Sequence, residues 1–297
     1  MTQALEVALR CDALLGETPV WDPTAQVLYW VDILGNAVHR YDPATGSDSS
    51  FATSAPVGCI ALCGDGLVMA IGDHIATSRS DGSGFQWGSR VSAREGIRFN
   101  DGRVDAQGRF YVGTMDVRES NPIGALHVVD GGGAVRTALD SVVVSNGLDF
   151  SDDGTLLYHI DSPTQGVDLY VVDPATGSLS NRRRLFDVDP KLGEPDGLVL
   201  DREGCLWISF WGGARVVRFD QVGTKLREIA LPVSQPTGIT FGGANLSQLY
   251  ITSAREGLNR TELGKQPLAG SLFIFPAGVE GRPTNSFRAS GVAGVPA

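Results

Sequence analysis

The sequence predicts an all-β protein, a six-bladed β-propeller. Three observations predict it. A turn former followed by a run of β-branched and aromatic residues occurs six times along the chain. The residue five places before each turn falls at positions 17, 59, 100, 146, 196 and 237, giving separations of 42, 41, 46, 50 and 41 residues. A unit of roughly 40–50 residues with four strands is the size of one propeller blade. Finally, 38 Gly and 15 Pro in 297 residues, with few long helical patterns, suit a turn-rich chain.

The elements follow in order. Leu5 to Leu9 reads as a strand. It is expected to pair with the last blade and close the ring, since closure removes exposed sheet edges. The six turn-and-strand units begin at Asp22, Gly64, Asp105, Ser151, Asp201 and Gly242. They lead into Val27–Asp32, Leu67–Asp73, Arg109–Asp116, Thr155–Asp161, Cys205–Trp211 and Gln248–Ser253. A further strand follows each, usually ending in Asp before a tight turn. Asp42-Pro-Ala-Thr-Gly46 recurs letter for letter as Asp173-Pro-Ala-Thr-Gly177. Proline presets φ and glycine supplies positive φ, so both read as the same turn. Arg98-Phe-Asn-Asp-Gly102 reads as a short polar loop, and Asn181-Arg-Arg-Arg184 as a solvated turn and strand start. Six units account for residues 1–297 as a single propeller domain.

Composition excludes some functions. The net charge is −10 and the pI about 4.8. Such a surface repels nucleic acid and anionic membranes and attracts divalent cations. No apolar run approaches the roughly 18 residues of a membrane helix. Met1 to Arg10 lacks a basic start followed by an apolar segment, so no signal peptide is expected. Cys11, Cys59, Cys63 and Cys205 form no C-x-x-C pair, which suits free thiols in a reducing cytoplasm. The four histidines are scattered and give no H-x-x-x-H metal motif.

In a propeller the first strand of each blade lines the central channel, so the six equivalent positions form a ring at one mouth. They are Glu17, Cys59, Asn100, Asn146, Asp196 and Thr237. Four carry strong oxygen donors. Converging carboxylates are costly unless a cation or protons neutralise them. Two carboxylates with amide oxygens suit Ca²⁺, Mg²⁺, Mn²⁺, Fe²⁺ or Zn²⁺. Asp and Asn also cap strand starts, and spacing alone leaves both readings open. Of the five tryptophans, Trp21, Trp30 and Trp207 read as core, while Trp87 and Trp211 are candidates for a pocket wall.

Several short motifs, in order and at blade spacing, carry a resemblance. They are Leu15-Gly-Glu-Thr-Pro-Val-Trp21, Arg98-Phe-Asn-Asp-Gly102, Gly113-Thr-Met115, Ser145-Asn-Gly-Leu-Asp149, Asn181-Arg-Arg183 and Pro195-Asp-Gly197. Together with Ala254–Leu258 and Gln266–Gly270 they resemble the SMP-30/gluconolactonase/LRE family. The resemblance implies a propeller with one divalent metal in its channel, held by Glu17, Asn146 and Asp196. It implies that Arg98 and Asn100 bind substrate. A further acidic contact follows the Gly-Thr-Met motif in regucalcin-like members. Here a direct count lands near Arg118, and Glu119 serves after a one-residue shift.

The activity so implied is hydrolysis of a sugar lactone, a small-molecule substrate. The metal would polarise the lactone carbonyl and Asp196 would take part in proton transfer. Two other functions compete. A non-catalytic calcium-binding regulator would bind without turnover. A paraoxonase-like or phosphotriesterase-like hydrolase would favour a catalytic histidine at the channel, and no histidine falls on the ring.

Overall fold

The computed structural model describes residues 4–92 and 94–290. Six four-stranded antiparallel sheets stand around one axis. The first blade comprises Gly16–Asp22, Val27–Asp32, Ala37–Asp42 and Ser47–Ala52. The second begins with Val57–Cys63, the third with Ile97–Val104, the fourth with Ser145–Phe150 and the fifth with Glu194–Leu200. The sixth takes Pro236–Gly242, Gln248–Ser253 and Leu272–Pro276 from the C-terminal part. Its outer strand is Glu6–Leu9 from the start of the chain. Glu6 pairs with Ile274 and Val7 with Phe273, so the expected closure is present.

The core is a circle rather than a ball. Buried apolar residues fall into six clusters, one between each pair of neighbouring blades. Trp21, Trp30 and Trp207 are at most 1% exposed and lie in these seams. The second strands supply much of the packing; Val27–Asp32 is buried along its whole length.

The repeated turns behave as their residues require. Gly46 and Gly177 both adopt φ 70°. In each, the preceding Asp carboxylate accepts a hydrogen bond from the N–H of Ala44 or Ala175. The stretch read as a polar loop, Arg98 to Gly102, is instead part of the inner strand Ile97–Val104. Channel-lining strands face a polar axis, so they lack the apolar alternation that marks a strand in sequence. Asn181 to Arg184 likewise lies within the outer strand Leu179–Asp187. Arg182 and Arg184 there pair with buried Asp168.

A terminal segment crosses the mouth at the far ends of the inner strands. Arg282 pairs with Asp149, Asn285 Nδ2 donates to the Val104 carbonyl, and the Phe287 N–H donates to the Leu62 carbonyl. This strap leaves the other mouth for a ligand.

Candidate active site

Each inner strand breaks register with its neighbour at or beside its ring position. Pairing skips between Glu17 and Val20, Phe99 and Gly102, Ser145 and Leu148, Pro195 and Leu198, and Pro236 and Ile239. The second blade shifts one residue earlier, between Val57 and Cys59. Such bulges bend a strand and re-aim its side chains, and ring residues stand at them. The inner strands also come close together around the axis. A Cβ on Gly147 would meet the Asp196 carbonyl oxygen at 2.5 Å, and one on Gly238 would meet Glu17 Oε2 at 3.0 Å.

The result is a cavity of about 240 Å³ at the open mouth. Glu17, Arg98, Asn100, Glu119, Asn146 and Asp196 all line it. The sequence-derived candidates thus meet in one place. The other two ring members do not reach it: Cys59 is buried in the seam between blades two and three, and Thr237 Oγ1 bonds to the Gly16 carbonyl and Thr252. The volume is below the roughly 300–1,000 Å³ of a drug-sized site and suits a small ligand.

A chain of hydrogen bonds ties three blades together at the base. Arg98 Nη1 donates to Asn100 Oδ1 at 2.6 Å and to the Phe99 carbonyl at 3.0 Å. Asn100 Nδ2 donates to Asn146 Oδ1 at 2.8 Å and to the Ser145 carbonyl at 3.0 Å. Asn146 Nδ2 donates to Ser162 Oγ at 2.9 Å, and Ser162 Oγ to the Pro195 carbonyl at 2.6 Å. Both amides are thereby oriented, and Asn146 Oδ1 retains a second lone pair.

The carboxylates are less satisfied. Asp196 Oδ1 is buried without a hydrogen-bond partner. Burial, then Asp101, push the Asp196 carboxyl well above its usual range, against the pull of Arg98. Burial, then Asp196 and Asp101, do the same to Glu17. Asp101 lies deeper in the channel, where burial raises it to about 6 in spite of Arg103. Buried carboxylates that repel one another, one with an unpaired oxygen, fit a cation. Among the described residues no three His, Cys, Asp or Glu side chains gather as a metal cluster. A cation here would be held by two carboxylates and an amide oxygen: Glu17, Asp196 and Asn146.

Glu119, not Arg118, lines the cavity. The Asp116 carboxylate builds the loop that presents it, accepting from the N–H groups of Arg118, Ser120 and Asn121 at 2.8–3.3 Å. These bonds hold the Asp116 carboxyl at about 2. Glu119 itself takes φ 54°. Trp211 reaches the cavity wall. Trp87 does not: it lies on the outer strand Gln86–Arg90, 55% exposed, against Phe85 and His74. Among the charged lining residues the sequence reading singled out neither Glu194 nor Glu256, although Glu256 lies inside the Ala254–Leu258 motif. Neither occupies the repeated ring position, and each looks in sequence like an ordinary loop or strand-end charge.

The profile of the SMP-30/Gluconolactonase/LRE-like region matches residues 15–255. The chain belongs to that family. Other SMP-30/gluconolactonase/LRE-like proteins are similar over nearly their whole length. Regucalcin of Gallus gallus is 36% identical over 289 residues, covering 92% of this chain and 94% of its own. The 6-deoxy-6-sulfogluconolactonase of Pseudomonas putida is 38% identical over 284 residues, covering 95% and 97%. A solved calcium-binding protein, regucalcin, from Agrobacterium tumefaciens superposes with a TM-score of 0.92 at 28% identity, covering 96% and 98%. Among the described residues, no helix in this family member is long and apolar enough to cross a membrane.

Proposed function

We propose that this chain is a metal-dependent lactonase that opens a sugar lactone to the corresponding sugar acid. The observation that carries the reading is the unpartnered, buried Asp196 Oδ1 at the base of a small cavity shared with Glu17 and Asn146. The family and the sulfogluconolactonase relative support lactone chemistry.

A divalent cation bound by Glu17, Asn146 and Asp196 supplies Lewis acidity toward the lactone carbonyl. The protein's own residues do the rest. Asn100 fixes the Arg98 guanidinium through Oδ1 and fixes Asn146 through Nδ2. Arg98 commits Nη1 to the protein and offers its remaining donors to ring hydroxyls or the carbonyl oxygen. Asn100 acts chiefly through these two neighbours, with one lone pair on Oδ1 left for substrate. Glu119 accepts from a sugar hydroxyl at the mouth. Asp196 accepts a proton from the attacking water and returns it to the ring oxygen as the ester bond breaks.

A calcium-binding regulator without turnover is the second reading, favoured by the calcium-binding description of the Agrobacterium relative. One assay separates the two. Acid release from a panel of five- and six-carbon lactones is followed with Ca²⁺, Mg²⁺, Mn²⁺, Zn²⁺ or Fe²⁺ and after chelation, with spontaneous opening subtracted. The lactonase reading expects metal-dependent release from at least one lactone. Release unaffected by complete metal removal sinks the mechanism, and metal binding with no turnover of any lactone favours the regulator.

A further inference from the structure

The cavity carries more negative charge than ester hydrolysis needs. Besides Glu17 and Asp196, three carboxylates line its mouth: Glu119, Glu194 and Glu256. All three are exposed to solvent. Against these five acids the lining includes one cation, Arg98. Glu256, Glu17, Glu119 and Asp196 all act on that guanidinium, so its field is already answered. Even with every ring acid ionised around a bound dication, the wall stays net negative.

The backbone that carries the mouth carboxylates is fixed. The loop organised by Asp116 presents Glu119. Glu194 opens the inner strand of the fifth blade, paired with Trp211. The Glu256 N–H donates to the Leu14 carbonyl at 2.9 Å, and its carbonyl accepts from Gln235 Nε2 at 2.9 Å. They come from the third, fifth and sixth blades, so they line one half of the rim, with two of them on opposite sides of the opening. A ligand reaching the unpaired Asp196 Oδ1 enters the cavity that all three line.

We infer that Glu194 and Glu256 are specificity determinants, a charge filter that admits uncharged lactones and turns away lactones bearing a carboxylate, sulfonate or phosphate. The inference rests on the lactonase reading of the site and sets this chain apart from a relative named for a sulfonated lactone. Like charges reject because an anion entering the mouth meets repulsion that a neutral lactone does not. Glu194 and Glu256 are solvent-exposed, so their effect is modest and falls as salt rises.

The test compares kcat/KM for D-gluconolactone and D-glucarolactone, which carries a free carboxylate, in the wild type and in the Glu194→Gln, Glu256→Gln double variant. Binding of the matching non-hydrolysable lactams is measured in parallel by calorimetry. The wild type is expected to prefer the neutral partner in both measurements. The preference should fall about tenfold in the double variant and shrink between 20 mM and 0.5 M salt, amounts in keeping with two exposed charges. A wild type without preference, or a double variant with an unchanged ratio, overturns the filter. Lactam selectivity that collapses in the double variant, with no lactone turned over, upholds the filter and sinks the hydrolysis. Equal lactam affinities, or no binding of either lactam, overturn the filter whatever the turnover.

Discussion

Two buried aspartates at opposite mouths of the channel have opposite fates. Asp149, near the far end of its inner strand, is fully partnered. Its carboxylate accepts from the N–H groups of Phe150 and Leu200 at 2.9 and 2.8 Å and from Arg282 at 2.9 Å, and it pairs with Arg103 at 3.3 Å. Burial alone would raise its pKa, but the two arginines and the amides outweigh burial and hold it low. Asp196, at the open mouth, is as buried but has an oxygen with no partner, and its pKa is pushed up. The same residue type at similar depth is therefore a structural tie in one place and an incompletely paired carboxyl in the other. The difference is made by neighbours, not by burial.

The comparison breaks most visibly by substitution at the open mouth. Asp196→Asn is expected to lower kcat/KM for the best lactone about 1,000-fold or more, since it removes both a proton acceptor and a cation ligand. Its metal-free melting temperature should rise, because a repelled buried charge is gone. A variant with full activity would mean Asp196 is as structural as Asp149.

At the strapped mouth the converse holds. Asp149→Ala leaves Arg103 and Arg282 without their partner and is expected to cost about 3–5 kcal/mol in chemical denaturation. Activity should stay within a few-fold of wild type while the variant is folded. A stable variant would show that the strap does not depend on this pair.

The smallest effect is a pH dependence of opposite sign at the two ends. Glu17, Asp101 and Asp196 have folded pKa values above their unfolded ones. In metal-free protein the folded state then binds more protons, so these groups lower stability as pH rises from about 4, through the value of about 6 for Asp101, and beyond. Asp149, depressed on folding, contributes stability that is lost only as pH falls below its unfolded value. Buried His127 and His159, lowered by burial, act in the opposite sense below about 6.5, so the carboxyl effect is read as a difference: the metal-free melting temperature of the wild type relative to Asp196→Asn is expected to decline between pH 5 and 8. A divalent cation at about 100 times its Kd should restore about 2.7 kcal/mol. Asp196→Asn should blunt both the decline and the restoration. A wild-type melting temperature that climbs relative to Asp196→Asn over this range would contradict the electrostatics of the open mouth.

Much of this was legible in the sequence, and the reason is periodicity. Blade spacing alone placed Glu17, Asn100, Asn146 and Asp196 on one ring, and all four line one cavity. What the period does not carry was harder to see. Arg98 to Gly102 looked like a loop because a strand facing a polar axis shows no apolar alternation. Asp101 stands beside a ring residue yet points deeper, because the bulge separates their directions. Glu194 and Glu256 sit off the repeat; Glu256 falls inside the Ala254–Leu258 motif, but the blade period marks neither for the cavity. The strap from Gly281 to Ser290 offers no strand pattern, since its backbone bonds go to the turns and strand ends of other blades. Trp87 was misjudged because aromatic content near polar residues suits an exposed outer strand as well as a pocket wall.

The ring of acids also bears on how a catalytic cycle would finish. Lactone opening takes in a neutral ring and generates an anion inside a bowl of its own sign. On the lactonase reading the newborn carboxylate would be pushed toward bulk water, so release would be fast and product inhibition weak. The equilibrium between lactone and acid stays that of free solution; the ring of acids would act only on how fast the product leaves and how weakly it inhibits.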